Sequence, residues 1–548
     1  MIRSSKITSA GASLLVLLQL FASDKTAAQD FSFTISTKNP ASHYINVEMQ
    51  VKDLRAGIID FKIPVWTPGY YQFLNFHENV ENLSIEDDKG NVLEYAKSQP
   101  NAWRIKTKAT ASYKIRYDIK TVRPFVATPY ADTGRAYVSP PGVFLHVAGM
   151  LNKPVEVKIV PWGNWNRVST GLDSVAGKSF TYRAENFDVL YDSPILIGNL
   201  EELTPFEVAG KPHRFIGYKL GEFDRPALMN DLKKIVQTAA DLIGDVPYKH
   251  YTFIPIGPGG GGIEHLNSTT ISFSGGALNK PESRLGVMNF IAHEYFHHYN
   301  VKRIRPIELG PFDYDKGSKT KMLWVSEGLS VYYEYLVVRR AGLSTDEQLI
   351  GSLHENILQY ENKPGRHFQS LAQSSYETWS DGPFGRTGDE VNKTISYYQK
   401  GPVVGWLFDL GIRQATKNAK SLDDVMRAVY NKYYKQLGRG FTEAEFRTEL
   451  EKIAGKKMDE LFDYVYTTKE LNYNKYLNYA GLQTDTSHHT IDGGWLGANT
   501  RMRNDSVTVS SIDFESPAYN AGIRQGTVIL SIDGQDVKSV IADVLKDK

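Results

Sequence analysis

The residues best suited to chemistry lie in the segment from Phe290 to Asn300, which contains the pattern His293-Glu294-x-x-His297. On an α-helix, positions i and i+4 differ by about 40° of rotation, so both imidazoles project from one face toward a single ion. Glu294 lies beside them on the same helix. The spacing therefore predicts a metal site with a general base next to it.

A third ligand is predicted in the apolar helical pattern from Lys321 to Tyr333, which contains one carboxylate, Glu327. A buried carboxylate is strongly destabilising unless it has a partner, and a zinc ion would be that partner. Two histidines and one glutamate leave the fourth tetrahedral position open, as in catalytic zinc sites. We predict that His293, His297 and Glu327 bind one Zn²⁺ per chain and that Glu294 is the general base.

Composition restricts the other possibilities. The chain has 548 residues, a formal net charge of +1 and no cysteine. The absence of cysteine excludes disulfides, thiolate metal sites and a cysteine nucleophile. The near-neutral charge, without a long run of one sign, gives no indication of a nucleic-acid partner. The length predicts about three or four domains.

The N-terminus is typical of an export signal, predicted at residues 1–28. Arg3 and Lys6 form a basic start, Gly11 to Ala22 form a short apolar core, and small residues up to Ala28 resemble a cleavage site. No later run reaches the ~20 apolar residues of a membrane span. We expect a periplasmic or secreted protein without a stable membrane span. An uncleaved anchor at the membrane interface is the alternative.

Periodicity divides the rest of the chain into regions. Short alternating segments such as Ile45 to Val51 predict an antiparallel β domain over residues 29–223. At Asp224 the period changes, and Ala227 to Ile243 reads as an amphipathic helix. A catalytic domain is therefore predicted at 224–343. Residues 344–475 are predicted as its helical part, with helices including Val403 to Ala415 and Glu443 to Tyr464.

Three loops near these elements are open to more than one interpretation. The glycine run before Glu264 includes Gly261 and Gly262, where the backbone can approach a ligand closely, and it lacks the lysine of a phosphate loop. The basic segment Val301 to Pro306 could bind a substrate carboxylate, but cations at a helix C-terminus are favoured by the helix dipole alone. The polar segment Asn362 to Asn392 is predicted to be a long loop at a pocket wall or lid.

The tail changes character from about Gly493. Gly494-Trp-Leu-Gly497, Ser516-Pro-Ala-Tyr-Asn-Ala-Gly522 and Val528-Ile-Leu-Ser-Ile-Asp-Gly534 together resemble a PDZ domain of the bacterial periplasmic-protease type, assigned to residues 490–548. The sequence ends at Lys548, in or just after the second helix expected of such a domain. The closing strand is expected to be missing, and peptide binding by this tail is left open.

In combination, these motifs resemble one family. Gly261-Gly-Ile-Glu-His265, the histidine helix, the Trp324-to-Glu327 motif and the tail occur in the order found in the glycyl aminopeptidases, a family of gluzincin metallopeptidases. The segment from Pro64 to Gly69 is also similar. It belongs to a rigid aromatic turn, Pro64 to Tyr71, that is more simply explained by packing than by substrate contact. The resemblance implies a multidomain α+β fold: an N-terminal antiparallel β domain, a thermolysin-like catalytic domain with a helical C-terminal part, and a PDZ-like tail.

Similarity to the large zinc aminopeptidases implies two further roles. Glu264 takes the place of the glutamate that binds the free α-amine of the substrate, with His265 where those enzymes have asparagine. Gly261 and Gly262 belong to the same substrate-binding segment. Tyr398, in Tyr398-Gln-Lys-Gly401, takes the place of the tyrosine that stabilises the oxyanion, and neighbouring Tyr397 is a rival for that role.

The expected function is a zinc aminopeptidase that acts on peptides with a free N-terminus. The family resemblance alone implies a preference for N-terminal Gly or Ala. One alternative is a zinc endopeptidase of exported proteins, in which Glu264 contacts a backbone amide and the tail presents extended chains. Another is a non-catalytic peptide-binding protein that retains zinc for structure.

Overall fold

The structure, a computed structural model of the chain, describes residues 31–385, 392–486, 495–503 and 506–537. The predicted signal peptide, the start of the predicted tail up to Gly494 and the end of that tail at Lys548 lie outside these residues. Within the described ranges, no helix combines the length and the apolar character that crossing a membrane requires.

The N-terminal domain consists of three β-sheets. Its elements are β1 (Phe31–Ser36), β2 (Tyr44–Leu54), β3 (Gly57–Lys62), β4 (Val80–Asp87), β5 (Ala96–Gln99), β6 (Ala102–Thr107), β7 (Ala111–Lys120), β8 (Tyr130–Ala131), β9 (Arg135–Val138), β10 (His146–Val147), β11 (Val155–Val160), β12 (Arg167–Thr170), β13 (Asp173–Ser174), β14 (Thr181–Ala184), the short helix α1 (Phe187–Tyr191) and β15 (Ile195–Gly198). The sheet orders are β13-β14-β11-β1-β2-β7-β4, β10-β3-β6-β5 and β12-β15-β9-β8.

Alternation along the strands explains this domain. In β1 every second residue is buried, which gives one face to the core and one to solvent. Pairing is antiparallel, as predicted, except between β1 and β11, which run parallel. The buried faces of the sheets form one apolar core that includes Phe33, Met49 and Ile115.

The catalytic domain begins earlier than predicted. Its elements are β16 (Glu201–Glu202), β17 (Phe206–Val208), β18 (Lys211–Gly217), α2 (Arg225–Ile243), β19 (Tyr251–Pro255), β20 (Gly262–Glu264), β21 (Ser268–Ile271), α3 (Pro281–Phe296) and α4 (Leu329–Arg340). Its sheet has the order β16-β18-β19-β21-β20, with β17 paired to β18. The predicted boundary at residue 224 is therefore wrong. The first strands of this sheet alternate like those of the β domain, so periodicity alone could not separate them.

Local signals in the sequence set the helices that carry the site. Asp224 caps α2, its side chain accepting from the Ala227 N–H, and Gly244 ends that helix in the left-handed conformation. Pro281 begins α3, where a missing N–H has no cost. A π-helical turn, Trp324–Gly328, precedes α4 and differs from the uninterrupted helix predicted there.

The helical part packs on the catalytic domain as one continuous core. Its helices are α5 (Asp346–Glu361), α6 (Leu371–Asp381), α7 (Tyr397–Ala415), α8 (Leu422–Val429), α9 (Glu443–Ala454), α10 (Asp459–Tyr466) and α11 (Tyr473–Leu477), with a second π-helical segment at Tyr430–Gln436. The predicted helix from Glu443 to Tyr464 is two helices, because Gly455 adopts φ +69° and ends α9.

The predicted long loop from Asn362 to Asn392 contains a helix, α6. Ser370 caps it by accepting from the Gln373 N–H, and Leu371, Ser375 and Trp379 form its inner face. Buried serines in this face concealed the helical period. Pro383 and Phe384, after the helix, do line a pocket.

The tail has its own small core around Val509, Ile512 and Ala518. Its elements are β22 (Ala498–Arg503), β23 (Ser506–Ile512), α12 (Pro517–Asn520), β24 (Val528–Ile529), β25 (Ser531–Ile532) and β26 (Gln535–Asp536). It touches the helical part where the Asn392 amide donates to the Ile512 carbonyl at 3.2 Å and where Phe514 meets Phe368. The predicted multidomain α+β architecture with a PDZ-like tail is confirmed.

Candidate metal centre

The structure brings the three predicted ligands together. His293 lies on α3, and His297 is the residue that caps the end of this helix. The backbone N–H of His297 still donates to the His293 carbonyl, so the two histidines are one helical turn apart, as predicted. Glu327 comes from the π-helical turn. Its Oε2 lies 3.7 Å from Nε2 of His293 and 3.2 Å from Nε2 of His297, and the two Nε2 atoms are 2.9 Å apart. These three residues could hold a metal ion.

The donor set fits zinc. Tetrahedral ligands bonded at ~2.0–2.1 Å lie roughly 3.3 Å from one another, and the three observed separations fall on both sides of that value. The other ring nitrogen of each histidine lies close to an oxygen. Nδ1 of His297 donates to the Asn300 carbonyl at 2.8 Å, and Nδ1 of His293 lies 2.9 Å from Oε2 of Glu334. Both rings therefore direct Nε2 toward Glu327, as zinc ligands require.

The π-helical turn is held in place from two sides. The Asn300 amide donates to the carbonyls of Val325 and Ser326 at 2.8 and 3.1 Å, and thus ties the end of α3 to the turn that carries Glu327. On the other side, a Cβ added to Gly328 would lie 2.7 Å from the Cα of Gly401 on α7. Only glycine permits this approach of the two backbones. Such single π-helical turns are frequent at functional sites.

Charges at the centre reinforce one another. Burial acts to raise the pKa of Glu327, but the two imidazoles outweigh it and hold that pKa below its ordinary value. Burial acts to lower the pKa of His297, but the Glu327 carboxylate outweighs it and raises that pKa. The three groups thus form a buried cluster in which the carboxylate is ionised.

Glu294 lies beside the cluster and lines a cavity of about 1180 Å³. Burial raises the pKa of Glu294 to about 7. Its Oε2 has no hydrogen-bond partner among the described residues, and its other oxygen packs on Gly262, where an added Cβ would lie 2.3 Å from Oε1. The carboxylate can therefore accept a proton from a group in the cavity.

Tyr398 reaches the cluster from α7 and lines the same cavity. Its hydroxyl donates to Oε2 of Glu327 at 2.9 Å, and burial raises its pKa well above the ordinary value, so it stays a neutral donor. The hydroxyl of its rival, Tyr397, is instead 3.1 Å from Oγ1 of Thr378.

Sequence comparison bears on the identity of this centre. The profile described as the Peptidase M61 N-terminal domain matches residues 32–199, and that of the M61 glycyl aminopeptidase matches residues 286–404, which include His293, His297, Glu327 and Tyr398. Together the two profiles match more than half of the chain. The chain belongs to the M61 glycyl aminopeptidase family. It is therefore an enzyme, a zinc metallopeptidase, and a PDZ domain profile matches its residues 494–543.

Solved structures show the same fold for this M61 peptidase. The aminopeptidase N family protein from Idiomarina loihiensis has a TM-score of 0.84 at 23% identity, covering 94% of this chain and 92% of that one. The M1 zinc metallopeptidase from Deinococcus radiodurans has a TM-score of 0.50 at 12% identity, covering 81% and 95%. A mutant of that metallopeptidase bound to a Tyr-Ser-Ala substrate matches equally well. The comparison with curated proteins found no match.

The predicted substrate-binding segment of the M61 peptidase divides into two parts. Gly261 and Gly262 line the cavity, whereas Glu264 does not and is only 4% exposed. Oε1 of Glu264 lies 3.6 Å from Nζ of Lys302, beyond hydrogen-bond distance, and has no hydrogen-bond partner among the described residues. The carboxylate also abuts Gly69, where an added Cβ would lie 2.8 Å from Oε2.

The structure also shows what the basic segment after α3 and the aromatic turn from Pro64 contact. Lys302 pairs with Asp192 at 2.8 Å, and Arg303 donates to the carbonyls of Leu266 and His298. The basic segment after α3 is thus internal structure and does not face the cavity. In the turn from Pro64 to Tyr71, Trp66 is packed as expected, but Gly69, Tyr70 and Tyr71 line the cavity.

Sequence reasoning missed two residues at the centre. Glu334 orients His293, and its position seven residues after Glu327, two turns along the same helical face, was a usable signal. Tyr71 lies near Glu327, whose charge adds to burial in raising the pKa of the Tyr71 phenol well above its ordinary value. Nothing in the local pattern around Tyr71 indicated this, because the turn comes from the β domain, more than two hundred residues before Glu327.

Proposed function

We propose that this M61 peptidase is a zinc aminopeptidase that removes small N-terminal residues, Gly or Ala, from peptides. The observation that carries the proposal is the convergence of His293, His297 and Glu327 within bonding reach of one ion, with Glu294 facing the adjoining cavity. The preference for Gly or Ala is supported by the family alone.

The residues at the centre have complementary roles in this reaction. A bound zinc ion would polarise the scissile carbonyl and lower the pKa of water. The Glu294 carboxylate takes a proton from the attacking water and later delivers it to the leaving amine, a role that suits a carboxyl that lines the cavity and has a pKa raised to about 7. Tyr398 donates its hydroxyl hydrogen bond to the developing oxyanion, in exchange for its bond to Glu327.

Recognition of the N-terminus is assigned to Glu264. Its Oε1 lacks a hydrogen-bond partner among the described residues, and its side chain lies directly behind Gly69 at the cavity wall. A carboxylate there selects an ammonium group and places the first peptide bond over the metal centre. Lys302 at 3.6 Å competes for the same charge. Because Glu264 is buried and does not line the cavity, binding of the substrate amine requires a small movement of its side chain.

An endopeptidase is the second candidate, because Glu264 is absent from the described residues that line the cavity. The two functions differ in their need for a free amine. We expect the purified enzyme to cleave Ala-Ala-Ala and to leave its N-acetylated form intact. Equal cleavage of both peptides would establish the endopeptidase instead.

The same assay tests the catalytic base. Replacing Glu294 by Gln keeps the size and the packing on Gly262 but removes the proton acceptor. We expect hydrolysis to fall at least 100-fold, which is the lower range for loss of general-base catalysis. Undiminished hydrolysis by E294Q would overturn the assignment, and a wild type that cleaves nothing across a panel of Gly-, Ala- and Leu-peptides would favour the non-catalytic binding protein.

We also propose export and cleavage near Ala28, on the basis of the basic and apolar pattern of residues 1–28. N-terminal sequencing of protein recovered from the periplasm or medium tests it, with a first residue near Gln29 expected. Intact Met1 in a cytoplasmic fraction would contradict it.

A further inference from the structure

The charge of the cavity is distributed unevenly between its two walls. On the helical wall lie three carboxylates, from Glu294, Glu334 and Glu355. The opposite wall comes from the β domain and includes Arg123. Among the described residues that line the cavity, Arg123 is the one with a permanent positive charge.

The Arg123 side chain is available to a ligand. It is exposed, and its guanidinium lies 4.8 Å from the centre of the Phe125 ring. In the described part of the chain, no carboxylate lies within ion-pair distance of it. A guanidinium held over an aromatic face keeps its N–H groups free for a carboxylate, which it can bind through two parallel hydrogen bonds.

Its loop is held against the substrate-binding strand. Phe125 packs edge-on against Tyr70 at 5.2 Å. A Cβ added to Gly261 would lie 3.4 Å from Cγ2 of Val126 and 3.9 Å from Cε2 of Phe125. The loop of Arg123 thus lies at the Gly261 end of the segment whose other end is Glu264.

The positions of Glu264 and Arg123 set the direction in which a peptide would lie in the cavity. Gly260, Gly261 and Gly262, at the start of the edge strand β20, line the cavity, so their backbone is available to an extended peptide. With the substrate ammonium at the Glu264 end, the chain beyond the scissile bond runs toward Gly261 and Arg123. The cavity of about 1180 Å³ is large enough for a short peptide in this orientation.

We infer that Arg123 binds a carboxylate on the leaving-group side of the substrate, so that the enzyme favours short peptides with a free C-terminus. This inference rests on the proposed aminopeptidase function and deepens it. An acidic side chain at the same place would offer the same chemistry, and the substrates of the test separate the two sources.

The test compares Ala-Ala-Ala, its C-terminal amide and Ala-Asp-Ala amide with the zinc-loaded wild type, R123Q and R123K. Arg55→Gln, which removes an exposed cation that does not line the cavity, is the matched control. For wild type we expect kcat/KM to be about tenfold higher with the free acid than with the amide, the size of one charged hydrogen bond at an exposed site. R123Q should reduce this ratio to about one, R123K should retain part of it, and R55Q should leave it unchanged.

Binding provides an independent readout. Calorimetry with E294Q should show tighter binding of the free acid than of the amide. The double variant E294Q/R123Q should bind the two peptides with equal affinity. If Ala-Asp-Ala amide is cleaved and bound as well as the free acid of Ala-Ala-Ala, the acidic side chain is identified as a second source of the carboxylate. If wild type cleaves and binds the free acid and the amide equally well, the inference alone is overturned. The same holds if R123Q lowers kcat/KM and affinity equally for both substrates. Hydrolysis of none of the three would overturn the aminopeptidase function and the inference with it.

Discussion

At the scale of single residues, the ligands and the base follow from sequence because their spacing is local and their chemistry is restrictive. His293 and His297 are one turn apart, and a carboxylate such as Glu327 inside an apolar run requires a partner. The residues that orient them are harder to predict. The Asn300 carbonyl that accepts from His297 is a backbone group, which any residue type could supply, and Tyr71 comes from another domain.

Glu334 gives the first prediction at this scale. Its Oε2 lies 2.9 Å from Nδ1 of His293, and replacing Glu334 by Gln weakens this contact, since a neutral amide attracts the imidazole less than a carboxylate does. We expect zinc affinity to fall roughly 10–100-fold, as is typical when the partner of a ligating histidine is lost. Competition with a chelator measures it, with E355Q as the control on the same cavity wall. Equal affinity in E334Q and wild type would contradict the orienting role.

The two neighbouring tyrosines give the second prediction for single residues. Tyr398→Phe removes the hydroxyl that faces the centre, whereas Tyr397→Phe removes one bonded to Thr378. We expect Y398F to lower kcat roughly 100-fold with KM little changed, as for the loss of one oxyanion donor, and Y397F to stay within a few-fold of wild type. Steady-state kinetics on Ala-Ala-Ala tests this. A larger decrease of kcat in Y397F than in Y398F would assign the oxyanion role to Tyr397 instead.

At the scale of elements, the long periodic helices were predictable and the departures from regular helix were not. The pattern from Ala227 to Ile243 predicted α2 almost to the residue. The π-helical turn at Trp324–Gly328 depends on contacts with Asn300 and Gly401, which lie far away in the chain, so the local pattern indicated an ordinary helix. The helix α6 was hidden because buried Ser374, Ser375 and Thr378 form part of its inner face.

The crossing of α7 over this turn gives a prediction for the element. In Gly401→Ala the added Cβ would lie 2.6 Å from the Cα of Gly328, so the two backbones must separate. We expect the free energy of unfolding to fall by about 1–3 kcal/mol and zinc to bind more weakly, since Glu327 moves with the turn. Gly351→Ala on α5, where an added Cβ meets nothing, is the control and should be neutral or stabilising by up to about 1 kcal/mol. Identical zinc affinity in G401A and wild type would show that the crossing does not position Glu327.

At the scale of the whole molecule, the fold class was predictable, but the boundary between the first two domains was not. The sheet of the catalytic domain reaches back to β16, and strands of either domain alternate in the same way. Only the pairing of β18 with β19 assigns them, and that pairing joins residues separated by α2. The Arg123 loop illustrates the consequence, because a residue of the β domain completes the cavity of the catalytic domain.

Acid stability gives a prediction for the whole molecule. His213 is fully buried on β18, and burial lowers its pKa to about 4 from the ordinary 6.5. The unfolded chain therefore binds a proton at a higher pH than the folded one, so this contribution to stability is complete above pH 6.5 and is lost as the pH falls from there toward 4. The loss at pH 5 is about 2 kcal/mol for this one group.

Urea unfolding at pH 7 and pH 5 measures that loss. We expect His213→Gln to destabilise the protein at pH 7, where its stacking on Phe206 and its bond to Tyr248 are weakened, yet to lose less stability on acidification than wild type. His354→Gln, on α5, is the control for the same substitution made elsewhere in the chain. The same decrease between pH 7 and pH 5 in H213Q and wild type would contradict the assignment of a neutral buried histidine.

Zinc content after equilibrium dialysis tests the central claim most directly, because the account depends on Glu327 meeting His293 and His297 at one ion. Elemental analysis of the dialysed proteins should give one zinc per chain for wild type and for E294Q, whose substitution spares the ligands. It should give far less for Glu327→Gln with the fold intact by circular dichroism. A wild type that retains no zinc, or an E327Q that retains as much as wild type, would contradict the account.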